Sequence, residues 1–295
     1  MSNKIIDGKA IAALMKKEIA AQVAAMIDAD NEAPHLAAII VGEDAASQTY
    51  VSSKERACHD VGITSTVYRL PENTTEKKLL EMVDFLNNDA DIDGFIVQLP
   101  LPQHINTNKI IERINPAKDV DGFHPRNIGM MQLGLPTYLP ATPFGIVELL
   151  HRSKVEVNGK HVVVLGRSNI VGTPVSVLLS RKSEHGNATV TLCHSQSKNL
   201  EEITKQADIL IAAIGKPEFV KASMLKKGVV VIDVGIHRIA DQSKEKGYRL
   251  VGDVDFDDVV TTASKITPVP GGVGPMTIVA LLHNTLLASK KEIYK

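Results

Sequence analysis

Two residues that could take part in catalysis, Tyr50 and Lys54, lie four positions apart in a segment with a helical pattern. That spacing places both side chains on one face of a helix. A lysine can carry protons in catalysis, but only if its pKa is lowered, because a free lysine is almost wholly protonated at neutral pH. The same spacing occurs in short-chain dehydrogenases, where it follows the nucleotide-binding turn within one domain. Here it precedes the glycine-bearing turn after His161–Leu165 by most of a domain, so the pair does not indicate a short-chain dehydrogenase. The alternative interpretation of the pair is a solvated lysine beside an aromatic ring.

Two further polar residues follow predicted strands or occupy loops near them. Gln98 lies at the carboxyl end of an apolar run, and such strand ends face the crevice in which open α/β sheets bind ligands. Asp121 lies in the loop Lys118–Phe123, which could bring a carboxylate to the same edge. The alternative for Asp119 and Asp121 is a structural role in the turn before Gly122.

A glycine-bearing turn follows the predicted strand His161–Leu165. A tight turn from a parallel strand into a helix presents backbone N–H groups and a positive helix end to an anion. Gly166 suits the turn and Gly172 lets helix and strand approach closely, with Arg167 and Ser168 between them. The spacing departs from G-x-G-x-x-G, so a plain strand-to-helix connection is the alternative.

The end of the next predicted strand favours NADP over NAD. NAD-selective domains place a carboxylate there to bind the ribose 2′-hydroxyl. This strand ends instead in Cys193–Ser197, which contains no acid. The hydroxyl of Ser195 and the guanidinium of Arg167 could accept a 2′-phosphate.

The elements that must position these residues are short apolar runs alternating with helical patterns, which predicts parallel sheets with crossover helices. Leu14, Ile19, Val23 and Ile27 recur at helical spacing on the opening segment. The predicted strands are Leu36–Val41, Thr66–Leu70, Gly94–Leu99, His161–Leu165, Thr189–Leu192, Asp208–Ala212 and Val229–Ile232. The predicted helices are Ala45–Asp60, Glu76–Leu86, Phe144–Arg152, Thr173–Lys182 and Met276–Ser289, with one short helix inside the Gly- and Pro-rich stretch Asp119–Pro143.

The pattern restarts after Pro143, which predicts two α/β domains. The second, residues 144–275, has the succession of strands and helices that a Rossmann-like, doubly wound nucleotide-binding domain requires. The first spans residues 1–143, and the C-terminal helix, residues 276–295, is expected to pack back on it.

Composition narrows the class of protein. The 295 residues contain 44% hydrophobic and 23% charged residues, as in globular proteins, and the net charge of −1 favours neither a nucleic-acid nor a membrane partner. No metal site is predicted, because no histidine pair has zincin spacing and the two cysteines, Cys58 and Cys193, are far apart. Two such cysteines and the lack of a signal peptide pattern favour a reduced, cytoplasmic setting.

Five strings carry a resemblance to a known family. They are Tyr50–Lys54, Val97–Pro102, Lys118–Phe123, Val164–Ser168 and Pro270–Thr277. In this order and over nearly the whole chain, they resemble the bifunctional methylenetetrahydrofolate dehydrogenase/methenyltetrahydrofolate cyclohydrolase family. The string Pro-Gly-Gly-Val-Gly-Pro-Met-Thr is specific to it.

The resemblance implies two consecutive reactions in one active-site cleft between the two domains. In the first, 5,10-methylenetetrahydrofolate gives a hydride to NADP and becomes the methenyl cation. In the second, water adds to that cation and the ring opens to 10-formyltetrahydrofolate. Hydride transfer needs mainly alignment, whereas hydrolysis needs proton transfer.

The resemblance also implies roles for particular residues. Lys54 would be the proton shuttle, Gln98 would orient it, Tyr50 would stack on the folate and Asp121 would hold the pterin edge. The residues implied to bind folate are Tyr50, Lys54, Val97, Gln98, Leu99, Asp121, Pro270, Gly271 and Gly272. Those implied to bind NADP are Gly166, Arg167, Ser168, Ser195 and Ile236, the last on the nicotinamide side.

Two other functions remain open at this point. One is a dehydrogenase-only member, which the presence of both Lys54 and Gln98 argues against, since hydride transfer has little use for a shuttle. The other is a non-catalytic NADP-binding sensor that has kept the fold. The resemblance further suggests a homodimer formed through the nucleotide domains.

Overall fold

The structure, a computed structural model, describes residues 4–244 and 247–294, and its internal contacts divide the chain into two compact units. The three-stranded unit comprises Ala13–Ala141 and the chain from Ile278 onward. The five-stranded unit comprises the chain up to Ala12 and Thr142–Thr277. This division differs from the predicted one mainly at the start of the chain, which contacts the five-stranded unit through a hydrogen bond of 2.9 Å from Ile6 N to Ile266 O.

A parallel sheet forms the centre of the three-stranded unit. Its strands are β1 (His35–Val41), β2 (Thr64–Leu70) and β3 (Gly94–Val97), in the order β2-β1-β3. Its helices are most of α1 (Gly8–Asp28), then α2 (Ala45–Asp60), α3 (Glu76–Asn88), α4 (Thr107–Arg113) and α5 (Pro125–Gln132). The central strand β1 is buried from Leu36 to Val41, as expected of a parallel strand covered on both faces.

The helices of this unit begin at recognisable caps. The side chain of Asp44 accepts a hydrogen bond of 2.7 Å from Ser47 N and caps α2. Thr75 caps α3 in the same way, and Leu79, Val83 and Leu86 form the buried stripe of that helix at helical spacing. The N-terminus of each helix, which the chain enters after leaving a strand, is thereby fixed.

The five-stranded unit is also built on a parallel sheet. Its strands are β4 (His161–Leu165), β5 (Thr189–Cys193), β6 (Ile209–Ala212), β7 (Val230–Asp233) and β10 (Lys265–Ile266), in the order β10-β7-β6-β4-β5. An antiparallel pair, β8 (His237–Ala240) and β9 (Tyr248–Val251), lies between β7 and β10 in sequence. The helices are α6 (Ala141–Arg152), α7 (Gly172–Ser180), α8 (Leu200–Thr204), α9 (Phe256–Val259) and the start of α10 (Val273–Ser289), which from Ile278 onward belongs to the three-stranded unit.

The strand order places a ligand crevice at β4. The chain leaves β4 toward β5 on one side and then crosses to β6 on the other side. Connections that leave neighbouring strands in opposite directions open a crevice at their carboxyl ends, where open α/β sheets bind ligands. The turn after β4 and the loop after β6 therefore meet where a nucleotide pocket is expected.

Several predicted boundaries were wrong, and two of them were wrong for the same reason. Helices α6 and α10 begin at Ala141 and Val273, three residues before their predicted starts. Pro143 and Pro275 suggested boundaries, but proline is tolerated in the first turn of a helix. Strand β3 ends at Val97, two residues before the predicted end at Leu99.

The predicted face of α1 was partly wrong. Ile19 and Val23 are buried, whereas Leu14 and Ile27 are 56% and 46% exposed. Met15 takes the buried position next to Leu14, so the apolar stripe is rotated by one residue. Helices α4, α8 and α9, the β8–β9 pair and the two-residue strand β10 were not predicted, because each is short and its apolar pattern is weak.

Candidate functional site

Lys54 is the centre of a polar cluster in the three-stranded unit. It lies in α2, one turn after Tyr50, and is only 8% exposed. Its Nζ donates a hydrogen bond of 3.0 Å to Gln98 Oε1. The structure therefore brings together the lysine and the glutamine that the sequence singled out, although they are 44 positions apart.

Backbone contacts fix the amide of Gln98 in the orientation that Lys54 requires. Gln98 N donates to Ile39 O at 2.8 Å, which extends the pairing of β3 with β1 by one residue. Its Nε2 donates to Leu99 O at 2.7 Å, so the amide oxygen is the atom presented to the lysine. The Val97 side chain lies in the apolar core, which anchors the strand end.

The two candidate aspartates have separate places. Asp119 is buried and structural, since its carboxylate accepts hydrogen bonds from the backbone N–H groups of Phe123 and His124 and from the Asn127 amide. This is the turn role considered for both residues. Asp121 is half-buried, and its carboxylate acts electrostatically on Lys54.

Burial shifts the proton affinities of this cluster. It lowers the pKa of Lys54, while the negative charge of Asp121 opposes that shift. Burial also raises the pKa of Asp121 to about 6, against the influence of Lys54. Desolvation raises the pKa of Tyr50, so its hydroxyl stays neutral. A lowered pKa makes the neutral amine of a lysine more accessible, and a lysine oriented by an amide oxygen can then accept and return a proton.

The turn after β4 shapes the second candidate site, in the five-stranded unit. Gly166 has a φ of +109°, and a Cβ there would lie 2.1 Å from Ala213 O. A Cβ on Gly172 would lie 1.8 Å from Gly166 O, so the start of α7 is packed directly on the turn. Ser168 Oγ accepts a hydrogen bond of 3.2 Å from Val171 N just before that helix. Only glycine at both positions permits this close packing.

A cavity of about 310 Å³ lies at this turn. Its polar lining residues include the predicted Arg167, Ser168 and Ser195, with Gly166 beside them. His194 and Lys216 also line it and were not predicted. A cavity wall with two cationic side chains, an imidazole and two hydroxyls fits the phosphates of a dinucleotide.

The remaining predicted residues have other surroundings. Ile236 is 46% exposed just before β8 and is not among the residues that line this cavity. Gly271 O accepts a hydrogen bond of 3.1 Å from Lys9 N, and a Cβ on Gly8 would lie 1.9 Å from Gly272 O. The lack of a side chain at Gly8 thus lets Gly271 and Gly272 pack against the first turn of α1, while Pro270 is exposed beside them.

Two buried carboxylates behind the cavity were missed. Asp233 ends β7, and its oxygens accept from the backbone N–H groups of Gly235, Asp253 and Val254. Burial raises the pKa of Asp233 to about 7. Asp253 in turn accepts from the loop after β6. Asp233 could have been recognised from the sequence, because it directly follows the apolar run Val229–Ile232. The sequence prediction considered an acidic residue only at the end of β5.

Within residues 4–244 and 247–294, no group of three or more His, Cys, Asp or Glu side chains is placed to hold a metal ion. Across these described parts of the chain, every helix is too short or too polar to cross a lipid bilayer.

Comparison with known proteins decides the family. A family model described as the catalytic domain of tetrahydrofolate dehydrogenase/cyclohydrolase matches residues 6–121, and the model of its NAD(P)-binding domain matches residues 140–293. The chain belongs to the tetrahydrofolate dehydrogenase/cyclohydrolase family. The bifunctional protein FolD of Phocaeicola vulgatus is 58% identical over 292 residues, which is 99% of this chain and 100% of that protein.

Solved structures of family members agree. The bifunctional FolD methylenetetrahydrofolate dehydrogenase/cyclohydrolase of Campylobacter jejuni superposes with a TM-score of 0.91 at 46% identity, covering 98% of this chain and 99% of that one. The Trypanosoma brucei enzyme, solved with NADP cofactor and an inhibitor, gives 0.92 at 40% identity, covering 99% and 98%.

These findings confirm several predictions. The two-domain α/β fold with a Rossmann-like nucleotide domain is confirmed, as is membership of the bifunctional dehydrogenase/cyclohydrolase family of one-carbon folate metabolism. The predicted nucleotide class is confirmed by the NAD(P)-binding domain model. The roles of individual residues rest on the geometry described above.

Proposed function

We propose that this chain oxidises 5,10-methylenetetrahydrofolate with NADP and then hydrolyses the methenyl product to 10-formyltetrahydrofolate, with Lys54 as the proton shuttle of the second step. The observation that carries the proposal is the hydrogen bond of 3.0 Å between Lys54 Nζ and Gln98 Oε1. A dehydrogenase alone would have little use for a buried lysine held in this way. Family membership supports both reactions.

The hydrolytic step needs one group that takes a proton and gives it back. The neutral amine of Lys54 takes a proton from water as the water oxygen bonds to the methenyl carbon. The resulting ammonium gives a proton to the ring nitrogen that leaves when its bond to that carbon breaks. The hydroxyl proton of the adduct goes to solvent, so one proton is released overall. The lowered pKa of Lys54 makes the neutral amine available for the first transfer.

The neighbours of Lys54 position it and the folate. Gln98 Oε1 accepts from the ammonium and so holds the side chain in one rotamer. Asp121 is proposed to accept from the amino-pyrimidine edge of the pterin, a charge-assisted contact. Tyr50, one helical turn before Lys54, offers a ring for stacking. Leu99, with its carbonyl fixed by Gln98, and Val97 would form the strand-end wall of the folate site.

The dinucleotide is proposed to bind in the cavity after β4. The closely packed turn at Gly166 and the basic lining of the cavity fit a phosphorylated dinucleotide. Arg167, Ser168 and Ser195 would hold the 2′-phosphate, and Ile236 would lie on the nicotinamide side. When bound, NADP supplies the hydride acceptor for the first reaction. The protein needs only to align it, because no acid or base is required in that step.

Arg167 gives a test of cofactor preference. Arg167→Ala is expected to raise the Michaelis constant for NADP by about 10- to 100-fold, the worth of a charge-assisted contact to phosphate. The Michaelis constant for NAD should change far less, because NAD has no 2′-phosphate. Initial rates of NADPH and NADH formation measure both constants. An equal rise for both cofactors would mean that Arg167 is only structural.

Asp121 gives a test of the electrostatics around Lys54. The carboxylate of Asp121 raises the pKa of Lys54, so Asp121→Asn should lower that pKa further. The hydrolysis rate depends on the neutral amine and therefore rises with pH through the pKa of Lys54. The rising limb of the pH–rate profile should consequently move to lower pH in the variant. A limb that stays in place, or moves to higher pH, would contradict the proposed base.

We also propose a homodimer in a reducing, cytoplasmic compartment. The homodimer is supported by the family resemblance alone, and the compartment by Cys58 and Cys193, which are buried free thiols. Sedimentation equilibrium distinguishes a dimer from a single chain of 31.9 kDa, and a single-chain mass would contradict the homodimer.

A further inference from the structure

We propose that Asp253 is a positioning residue of the nucleotide pocket, which it shapes by holding the loop Ile214–Lys216 through three backbone N–H groups. This inference rests on the proposed nucleotide site. Asp253 follows β9 and is fully buried. Its Oδ2 accepts from Ile214 N at 2.7 Å and from Gly215 N at 3.0 Å, and its Oδ1 accepts from Lys216 N at 2.9 Å.

The held loop is part of the cavity wall. It directly continues β6, and Ala213, Ile214 and Lys216 line the cavity after β4. Ala213 N donates to Leu165 O at 2.8 Å, and Ala213 O is the atom against which Gly166 packs. The position of this loop therefore sets both the width of the pocket and the conformation of the turn that carries Arg167.

The same carboxylate also contacts the segment after β7. His237 Nε2 lies 2.8 Å from Asp253 Oδ1, one residue after Ile236. A Cβ on Gly235 would lie 2.4 Å from Asp253 N, so that segment is packed tightly on Asp253. The buried side chain of Asp253 thus joins the loop after β6, where Lys216 lines the cavity, to the segment after β7, which contains Ile236.

Asp253 is itself held in place. Its backbone N donates to Asp233 Oδ1 at 2.9 Å, and its carbonyl accepts from Val220 N at 2.9 Å. A buried carboxylate is costly unless it is hydrogen-bonded, and here three N–H groups and an imidazole satisfy it. Such a network holds a loop in its binding conformation before the ligand arrives, which improves affinity by removing an ordering cost.

The first test is the affinity of the Asp253→Asn variant for NADP. Asparagine has nearly the same shape but offers one acceptor oxygen, and its NH2 group would face loop N–H groups. The dissociation constant for NADP, measured by titration calorimetry, is expected to rise at least tenfold. Hydrolysis of methenyltetrahydrofolate without nucleotide should stay within about twofold of the parent. Asp257→Asn removes the same charge from an exposed position nearby and should leave the dissociation constant unchanged.

The second test uses the unaltered protein and so does not depend on how the variant folds. Hydrogen exchange of the amides of Ile214, Gly215 and Lys216 should be slow without nucleotide, because Asp253 already holds them. Exchange at the rate of an open loop would overturn the proposal. An unchanged NADP affinity in Asp253→Asn would also overturn it, as would equal losses of NADP binding and hydrolysis. A parent that binds no NADP would refute the proposed cofactor instead, and the exchange result would still decide the role of Asp253 in the loop.

Discussion

Replacing Lys54 by methionine is expected to lower the rate of methenyltetrahydrofolate hydrolysis by about 10²- to 10⁴-fold, the usual contribution of a positioned acid–base group. Methionine keeps the length and apolar volume of the lysine stem, so α2 should stay intact. The hydride step should remain measurable, because it needs no proton transfer. Separate absorbance assays of methenyltetrahydrofolate loss and NADPH formation measure the two rates.

A matched control separates the role of Lys54 from the loss of any lysine. Lys77 in α3 makes an ion pair of 4.0 Å with Glu81, and its side chain is 88% exposed. Lys77→Met should therefore leave both rates unchanged, since exposed pairs of this kind contribute little. Equal hydrolysis rates in Lys54→Met and the parent would refute the shuttle role.

Gly166→Ala is expected to weaken NADP binding at least tenfold and to destabilise the protein by about 2–4 kcal/mol, from overpacking and an unfavourable positive φ. The new Cβ would lie 2.1 Å from Ala213 O, so one of two backbone segments must move. Both segments line the nucleotide cavity, which links the stability loss to the affinity loss. Titration calorimetry with NADP and thermal unfolding measure the two effects.

The chain contains a control with the same backbone conformation and open space. Gly159, also in the five-stranded unit, has a φ of +71°, and a Cβ there would meet nothing within 4 Å. Gly159→Ala should cost only the conformational part, about 1 kcal/mol. NADP affinity should not change in this variant. If Gly166→Ala bound NADP as tightly as Gly159→Ala, the close packing at the turn would have no part in binding.

Local patterns predicted most of the regular elements. Helix α2 and strand β4 have the predicted bounds, because a capping Asp44 and a continuous apolar run define them. The errors arose where one residue type is compatible with two local structures. Pro143 and Pro275 indicated boundaries but lie in first turns, and only the surrounding packing distinguishes the two cases.

The candidate site was predictable where residues follow strands directly. Gln98 was recognised because it follows a buried strand, and its contact with Lys54 was expected from the resemblance. The roles of Asp119 and Asp121 could not be separated from sequence, since both precede Gly122. The hydrogen bonds of Asp119 to Phe123, His124 and Asn127 separate them.

The role of Asp253 behind the nucleotide cavity could not be predicted from the sequence. Asp253 acts on a loop 37 to 39 positions earlier through backbone N–H groups, which leave no trace in the identities of the loop residues. Lys216 lines the cavity because its loop continues β6, a consequence of strand order rather than of any motif. Contacts made through backbone groups are the hardest to predict from sequence patterns.

The measurement that tests the central claim most directly follows both products in one sample. Parent protein is supplied with 5,10-methylenetetrahydrofolate and NADP, and NADPH and 10-formyltetrahydrofolate are quantified over the same time course. We predict equal amounts of the two products from the parent, and NADPH with accumulating methenyltetrahydrofolate from Lys54→Met. Methenyltetrahydrofolate that accumulates equally in both proteins would contradict the assignment of hydrolysis to Lys54 and Gln98.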